Sequence, residues 1–355
     1  MDFLLGIYFN VFSYQSSCSR SKEARKMSTT EVLSAFALML TLHIPILAQE
    51  AKLQKDLRGH SDEIMALSIR SDGKMLASGG ADGSLFFWDT IDNKVIRSVR
   101  AHSPFPTRGI VFSKDEKVLV SCGDDKTIKF WDVASGSTTA SIDTSEVITC
   151  IKASPDGKTL ACGTMSGKVL FFDMKTRMHI KSLREHKGLV SSLAFDNKGT
   201  IMASCSWDRS IKKWDAAKLL MNKALAAEKR SLLVVRFSPD GKILASAGDD
   251  RKIKLRDVSS GKLLLTLKGH GDYVYDISFS SDGKILASGD ADGTLKFWDL
   301  ANGKNLASVA SAHNRIVRSI EFFPDNKRII TGGGDSVIRL WDFSDWTNKQ
   351  KARDK

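Results

Sequence analysis

A dipeptide ending in aspartate returns seven times along this chain at an almost constant interval. Trp88-Asp89, Trp131-Asp132, Phe172-Asp173, Trp214-Asp215, Arg256-Asp257, Trp298-Asp299 and Trp341-Asp342 are separated by 43, 41, 42, 42, 42 and 43 residues. A period of about 40–45 residues is what four short strands and their turns consume, so each unit predicts one small antiparallel sheet. Within the units, apolar runs of strand length alternate with turn clusters such as Ser154-Pro155-Asp156-Gly157-Lys158. No sustained helical period interrupts them. A length of 355 residues would permit two or three ordinary domains, but a repeat of this kind absorbs it in one all-β body.

These units resemble the WD repeats of the beta-transducin-like family over about residues 51–343. Besides the Trp-Asp anchors, Gly59-His60 and Gly269-His270 keep that family's Gly-His pair, with Ala101-His102, Glu185-His186 and Ala312-His313 as variants. The resemblance implies a seven-bladed β-propeller whose four-stranded antiparallel blades radiate from a central channel. The segment Leu53-Gln54-Lys55-Asp56-Leu57 precedes the first Gly-His as Val95-Ile96-Arg97-Ser98-Val99 precedes the second histidine. The last blade lacks its outer strand, and residues 51–57 are expected to supply it, which removes an exposed edge. The expected organisation is a leader over 1–48, a monomeric propeller over 50–343 and a short basic tail over 344–355.

Serine, histidine and aspartate recur in a way that invites a catalytic reading. The sets are His60, Ser78, Asp82 and Trp88; His102, Ser121, Asp125 and Trp131; His186, Ser204, Asp208 and Trp214; His270, Ser288, Asp292 and Trp298; and His313, Thr331, Asp335 and Trp341. Nucleophilic catalysis needs one triad beside a cleft and an oxyanion hole. Five copies at blade spacing are better explained as architecture, and the resemblance implies a buried relay from Asp through His and Ser or Thr to the indole. Blade three has Cys162, Ser166 and Phe172 at the Ser, Asp and Trp positions. Blade five keeps Ser246 and Asp250 but has Arg256 at the Trp position, and neither blade has the histidine. These two are expected to be the least rigid. With five of seven histidines so used, no catalytic residue, metal site or cofactor is assigned.

By the resemblance, the partner-binding face is the narrow mouth of the channel. Three positions per blade point there: two flank the first apolar residue of the inner strand and one precedes the relay Asp. Met165, Leu189, Trp207, Leu233, Tyr273 and Tyr275 then form an apolar and aromatic arc on blades three to six. Met65 sits on blade one, between Arg108 and Arg318. Trp, Tyr and Arg are the residue types enriched where binding energy concentrates. The expected function is a non-enzymatic scaffold for a protein or peptide partner; the arc packing across the mouth as mere structure is the bland alternative.

Charge supplies a second reading. The formal net charge is +12, and since residues 1–48 carry four basic and three acidic side chains, +11 belongs to the remainder. Lys74, Lys117, Lys158, Lys242, Lys284 and Lys327 recur in turns on the opposite face, so an anionic polymer, nucleic acid or lipid surface is an alternative partner. Each lysine follows an Asp by two residues, which leaves those turns nearly neutral. A propeller enzyme working at the channel mouth is a third reading. The five cysteines show no paired or zinc-ligand spacing and read as packed free thiols.

Residues 34–48, SAFALMLTLHIPILA, are apolar but short of the ~20 residues of a comfortable span. With Arg20, Lys22, Arg25 and Lys26 upstream they read as a signal peptide or an uncleaved anchor, and Met27 is an alternative start. Export to a periplasmic or extracellular space is expected if the segment is a signal, cytoplasmic residence if it is not. Membrane contact is expected only through an uncleaved leader.

Overall fold

The computed structural model describes residues 51–344. The leader, its signal or anchor and the basic tail from residue 345 onward lie outside the described residues. The described chain forms 28 strands in seven four-stranded antiparallel sheets. In blade one, β2 (Ile64–Ile69), β3 (Met75–Gly80), β4 (Ser84–Asp89) and β5 (Lys94–Arg100) follow one another from the channel outward. The next five blades repeat this simple meander.

Blade seven is the exception. Its sheet runs β1-β28-β27-β26, with β1 (Lys52–Arg58) hydrogen-bonded antiparallel to β28 (Val337–Asp342). The first described strand thus completes the last blade, as the Leu53–Leu57 match anticipated. Leu57 is buried in the seam with Ile64, Leu67, Trp88, Ile330 and Ile338, so closure fills a core as well as an edge.

The same logic builds the other seams. Each apolar cluster takes residues from two neighbouring blades: Phe297 and Leu295 of blade six pack with Ile320 and Trp341 of blade seven. Phe171 and Val169 of blade three pack with Leu193 and Trp214 of blade four. Strand alternation sends successive side chains to opposite faces, and both faces of each blade are covered by neighbours. The middle strands therefore read as almost continuous buried runs; all of Leu76–Gly80 is buried in β3.

Candidate functional site

The channel mouth is made by one local irregularity repeated seven times. In every blade the pairing of the first two strands slips by a residue just after the first residue of the inner strand. The skipped residues are Met65, Arg108, Thr149, Ser191, Leu233, Tyr275 and Arg318. A bulge leaves its extra residue out of the ladder and re-aims its side chain. All seven line a single cavity of about 650 Å³ at the axis, together with Met165, Leu189, Trp207 and Tyr273. Every residue proposed above for partner contact therefore borders this one space.

Their roles divide. Met165, Trp207 and Tyr273 are exposed, at 51%, 55% and 42% of their full surface. Thr149 and Ser191 are stitches: Thr149 donates to the Val190 carbonyl at 2.6 Å and Ser191 to the Leu232 carbonyl at 2.7 Å, tying blade three to four and four to five. On the other side, Arg108 grips Asp124 with two parallel bonds of 2.7 Å. The Arg318 guanidinium lies over the Tyr275 ring, 4.9 Å from its centroid.

Behind the mouth, the blades hold their histidines in relays. In blade one the Trp88 indole donates to Ser78 Oγ at 2.8 Å, His60 Nε2 stands 2.8 Å from the same oxygen, and His60 Nδ1 lies 3.1 Å from Asp82. Since an indole only donates, the serine hydroxyl passes its proton toward Nε2, and Nδ1–H faces the carboxylate. Blade two repeats this with Trp131, Ser121, His102 and Asp125, each link 2.8 Å. Blade four uses Trp214, Ser204, His186 and Asp208 at 2.9, 2.7 and 3.0 Å. Blade seven uses Trp341, Thr331, His313 and Asp335 at 2.9, 2.7 and 2.8 Å. Burial pulls the His102, His186 and His313 imidazoles below their ordinary range, against the pull of their Asp partners, which favours the neutral form. Against the opposing effect of burial, bonds from His60 and the Ser61 backbone hold Asp82 at about 2.

Blade six corrects one assignment. His270 Nδ1 meets Asp290, at 2.6 Å, and not Asp292, while Ser288 and Trp298 take their expected places. Asp290 occupies the strand end where blades one, two and seven have Gly80, Gly123 and Gly333. A Cβ built on Gly123 would stand 2.6 Å from the His102 ring. That position therefore points straight at the imidazole, and a carboxylate there reaches it first. Asp292 instead receives Thr294 and bonds Asp290, whose carboxyl is pushed up by burial and by that neighbour.

Comparison with known proteins places the architecture. The family model for the IFT122 first beta-propeller matches residues 41–255, more than half the chain, and the WD domain, G-beta repeat model matches 261–299 and 303–342. This chain belongs to the WD-repeat β-propeller family. Among similar proteins, the Periodic tryptophan protein 2 homolog of Dictyostelium discoideum is 26% identical over 44% of this chain and 18% of its own length. WD repeat-containing protein SL1-17 of Schistosoma mansoni is 28% identical over 47% and 55%, and Pre-mRNA-processing factor 19 of Oryza sativa subsp. japonica is 26% identical over 46% and 32%. The chain thus spans little more than half, or less, of the relatives it matches.

Two features of this WD-repeat propeller escaped the sequence reading. The first is what replaces the missing histidines. Thr144 and Glu228 donate their backbone N–H groups to the previous blade just as His186 does, at 2.8, 2.7 and 3.1 Å. Glu228 then bonds Arg256 at 2.5 Å and pairs with Lys254, which also meets Asp250 at 2.6 Å. The 42-residue steps from His60 through 102, 144, 186, 228 and 270 were the available signal. The second is a charged belt below the mouth, with Lys152, Arg236, Asp276 and Glu321 facing the cavity. Arg236 bonds Ser192 of blade four at 3.2 Å and Asp276 of blade six at 2.8 Å, and Asp276 accepts the Ile320 N–H of blade seven at 2.9 Å.

The four cysteines among the described residues are free thiols. Burial pushes Cys150 up to about 11 and Cys205 up to about 12, so neither is a ready nucleophile.

Proposed function

We propose that this WD-repeat propeller is a non-enzymatic scaffold that binds a protein or peptide partner at the narrow mouth of its channel. The observation that carries the reading is the convergence of Met165, Leu189, Trp207, Leu233, Tyr273 and Tyr275, from four successive blades, on one open cavity. Contiguous exposed apolar surface on a folded body marks an interaction site. Rigid aromatic anchors held by bulged strands offer affinity without large rearrangement. The relays support the non-enzymatic half: the Ser78, Ser121, Ser204, Ser288 and Thr331 hydroxyls are fully buried and already engaged by an indole and an imidazole. None is presented to a substrate.

The test is affinity capture with the intact protein beside a Trp207→Ala/Tyr275→Ala variant, bound proteins being identified by mass spectrometry. The expected result is a partner retained by the first and lost by the second while both stay folded. Identical capture by the two would move the function away from the mouth.

A further inference from the structure

Four cations line the mouth cavity: Arg108, Lys152, Arg236 and Arg318. Arg108 and Arg236 are neutralised where they stand, by Asp124 and Asp276. Among the described residues the Arg318 side chain makes no hydrogen bond and no ion pair, and its guanidinium lies over the Tyr275 ring. Burial opposes its charge and the nearby Arg108 adds to the opposition, with Tyr275, Glu63 and Asp276 acting the other way. Lys152, whose side chain has no hydrogen bond among the described residues, has a way out, since burial and Arg236 lower an ammonium's affinity for its proton, against Glu321 and Asp276. A guanidinium has no such escape, because it stays protonated in any folded protein. Arg318 is thus a fixed, half-desolvated charge whose hydrogen-bonding fork is unused.

We infer, resting on the reading of the mouth as the partner site, that the partner inserts an acidic side chain beside Arg318, its carboxylate bonding the guanidinium fork while flanking apolar residues lie on the Trp207–Tyr273 arc. Two parallel N–H to carboxylate bonds are the geometry an arginine fork prefers. Sandwiching that fork against Tyr275 fixes its plane before the ligand arrives, which lowers the ordering cost of binding. A singly charged carboxylate suits the site better than a phosphate, because Arg108 and Arg236 are already paired with Asp124 and Asp276, and Asp249 on the same cavity opposes a second negative charge. The exposed aromatic arc beside it argues for a peptide chain as the carrier, since a free acid leaves Trp207 and Tyr273 uncovered.

The experiment is selection of a displayed random nonapeptide library on the immobilised full chain, run in parallel on Arg318→Gln, Arg318→Lys and Trp207→Ala/Tyr273→Ala variants of confirmed fold. On the unaltered protein, Asp or Glu is expected at one fixed position between apolar residues. On Arg318→Gln that acidic preference falls at least about tenfold while the apolar preferences persist. Arg318→Lys, which keeps the charge and loses the fork, falls between the two, and it alone decides the matter should the glutamine variant not fold. Synthetic winners with Glu→Gln lose affinity by a similar factor. An acidic preference that survives at Arg318→Gln, or apolar enrichment with no acidic position, overturns this inference and leaves the mouth reading intact. No enrichment on the unaltered protein, or enrichment indifferent to Trp207→Ala/Tyr273→Ala, overturns both.

Discussion

Blades four and five stand side by side and meet the same demand with opposite chemistry. Each must occupy the space behind its inner strand where a histidine, a serine and an indole sit in the family's repeat. Blade four fills it with a neutral chain of hydrogen bonds from Trp214 through Ser204 to His186, ending on Asp208. Blade five fills it with ions: Glu228 between Arg256 and Lys254, with Asp250 beyond. The ionic solution leaves debts that the neutral one does not. Among the described residues, Ser246, at the position of Ser204, has an unpartnered buried hydroxyl, and Arg256 Nε is unpartnered too. An orphaned buried polar group costs about 1–3 kcal/mol, and a buried ion pair is weak evidence for stability because desolvation opposes its attraction. What carries blade five is the apolar seam it shares with its neighbours, with Val234, Leu255 and Ile277 buried together. The repeat tolerates a lost relay because packing between blades supplies most of the cohesion.

Losing a strand therefore matters more than losing a relay. Deleting residues 50–58 removes β1 from blade seven, whose relay is intact, and is expected to abolish the monomeric cooperative transition; size-exclusion chromatography with thermal circular dichroism checks this. Next in size comes a paired comparison by urea unfolding. Glu228→Ala strands the buried Arg256 guanidinium, Lys254 keeping Asp250, and is expected to cost about 3–5 kcal/mol, whereas His186→Ala strands the Ser204 hydroxyl, Asp208 keeping Lys187 and Ser210, and costs about 1–3 kcal/mol. Equal losses would break the contrast. Rebuilding the relay with Glu228→His/Arg256→Trp gives Ser246 its partners and should stabilise by about 1–2 kcal/mol, although either change alone destabilises. The smallest effect is on acidification. Folding keeps His186 below its ordinary pKa, so the unfolded chain takes up the proton first and stability falls as pH drops below about 6.5. Asp208, held at about 2, adds its loss only below about pH 4. Hydrogen exchange between pH 7 and 5 should therefore loosen blade four and leave blade five, which has no histidine, unchanged.

Much of the architecture was readable because it is periodic. The Trp-Asp spacing counts the blades, and the likeness of residues 53–57 to 95–99 foretells the closing strand, both patterns that one sequence displays against itself. The mouth residues were placed by the same register, and the bulge after Ile64 and its six counterparts explains why one residue per blade turns to the axis. What escaped reading is what departs from the period. Asp290 replaces a glycine and takes a histidine from Asp292, a contact that depends on a Cβ direction rather than on spacing. Glu228 supplants a histidine with a residue that reads as ordinary surface charge. Lys152, Arg236 and Glu321 look like single polar interruptions in apolar strands. Only closure of the ring brings them to one channel.

The most direct test separates the mouth from the wall. Partner binding and melting temperature are to be measured together on Trp207→Ala/Tyr275→Ala and on His186→Ala. The expected result is that the mouth variant melts with the parent and binds at least about tenfold more weakly, while the relay variant melts a few degrees lower and, where still folded, binds as the parent does. A mouth variant that binds normally, or a folded relay variant that does not bind, would contradict the account.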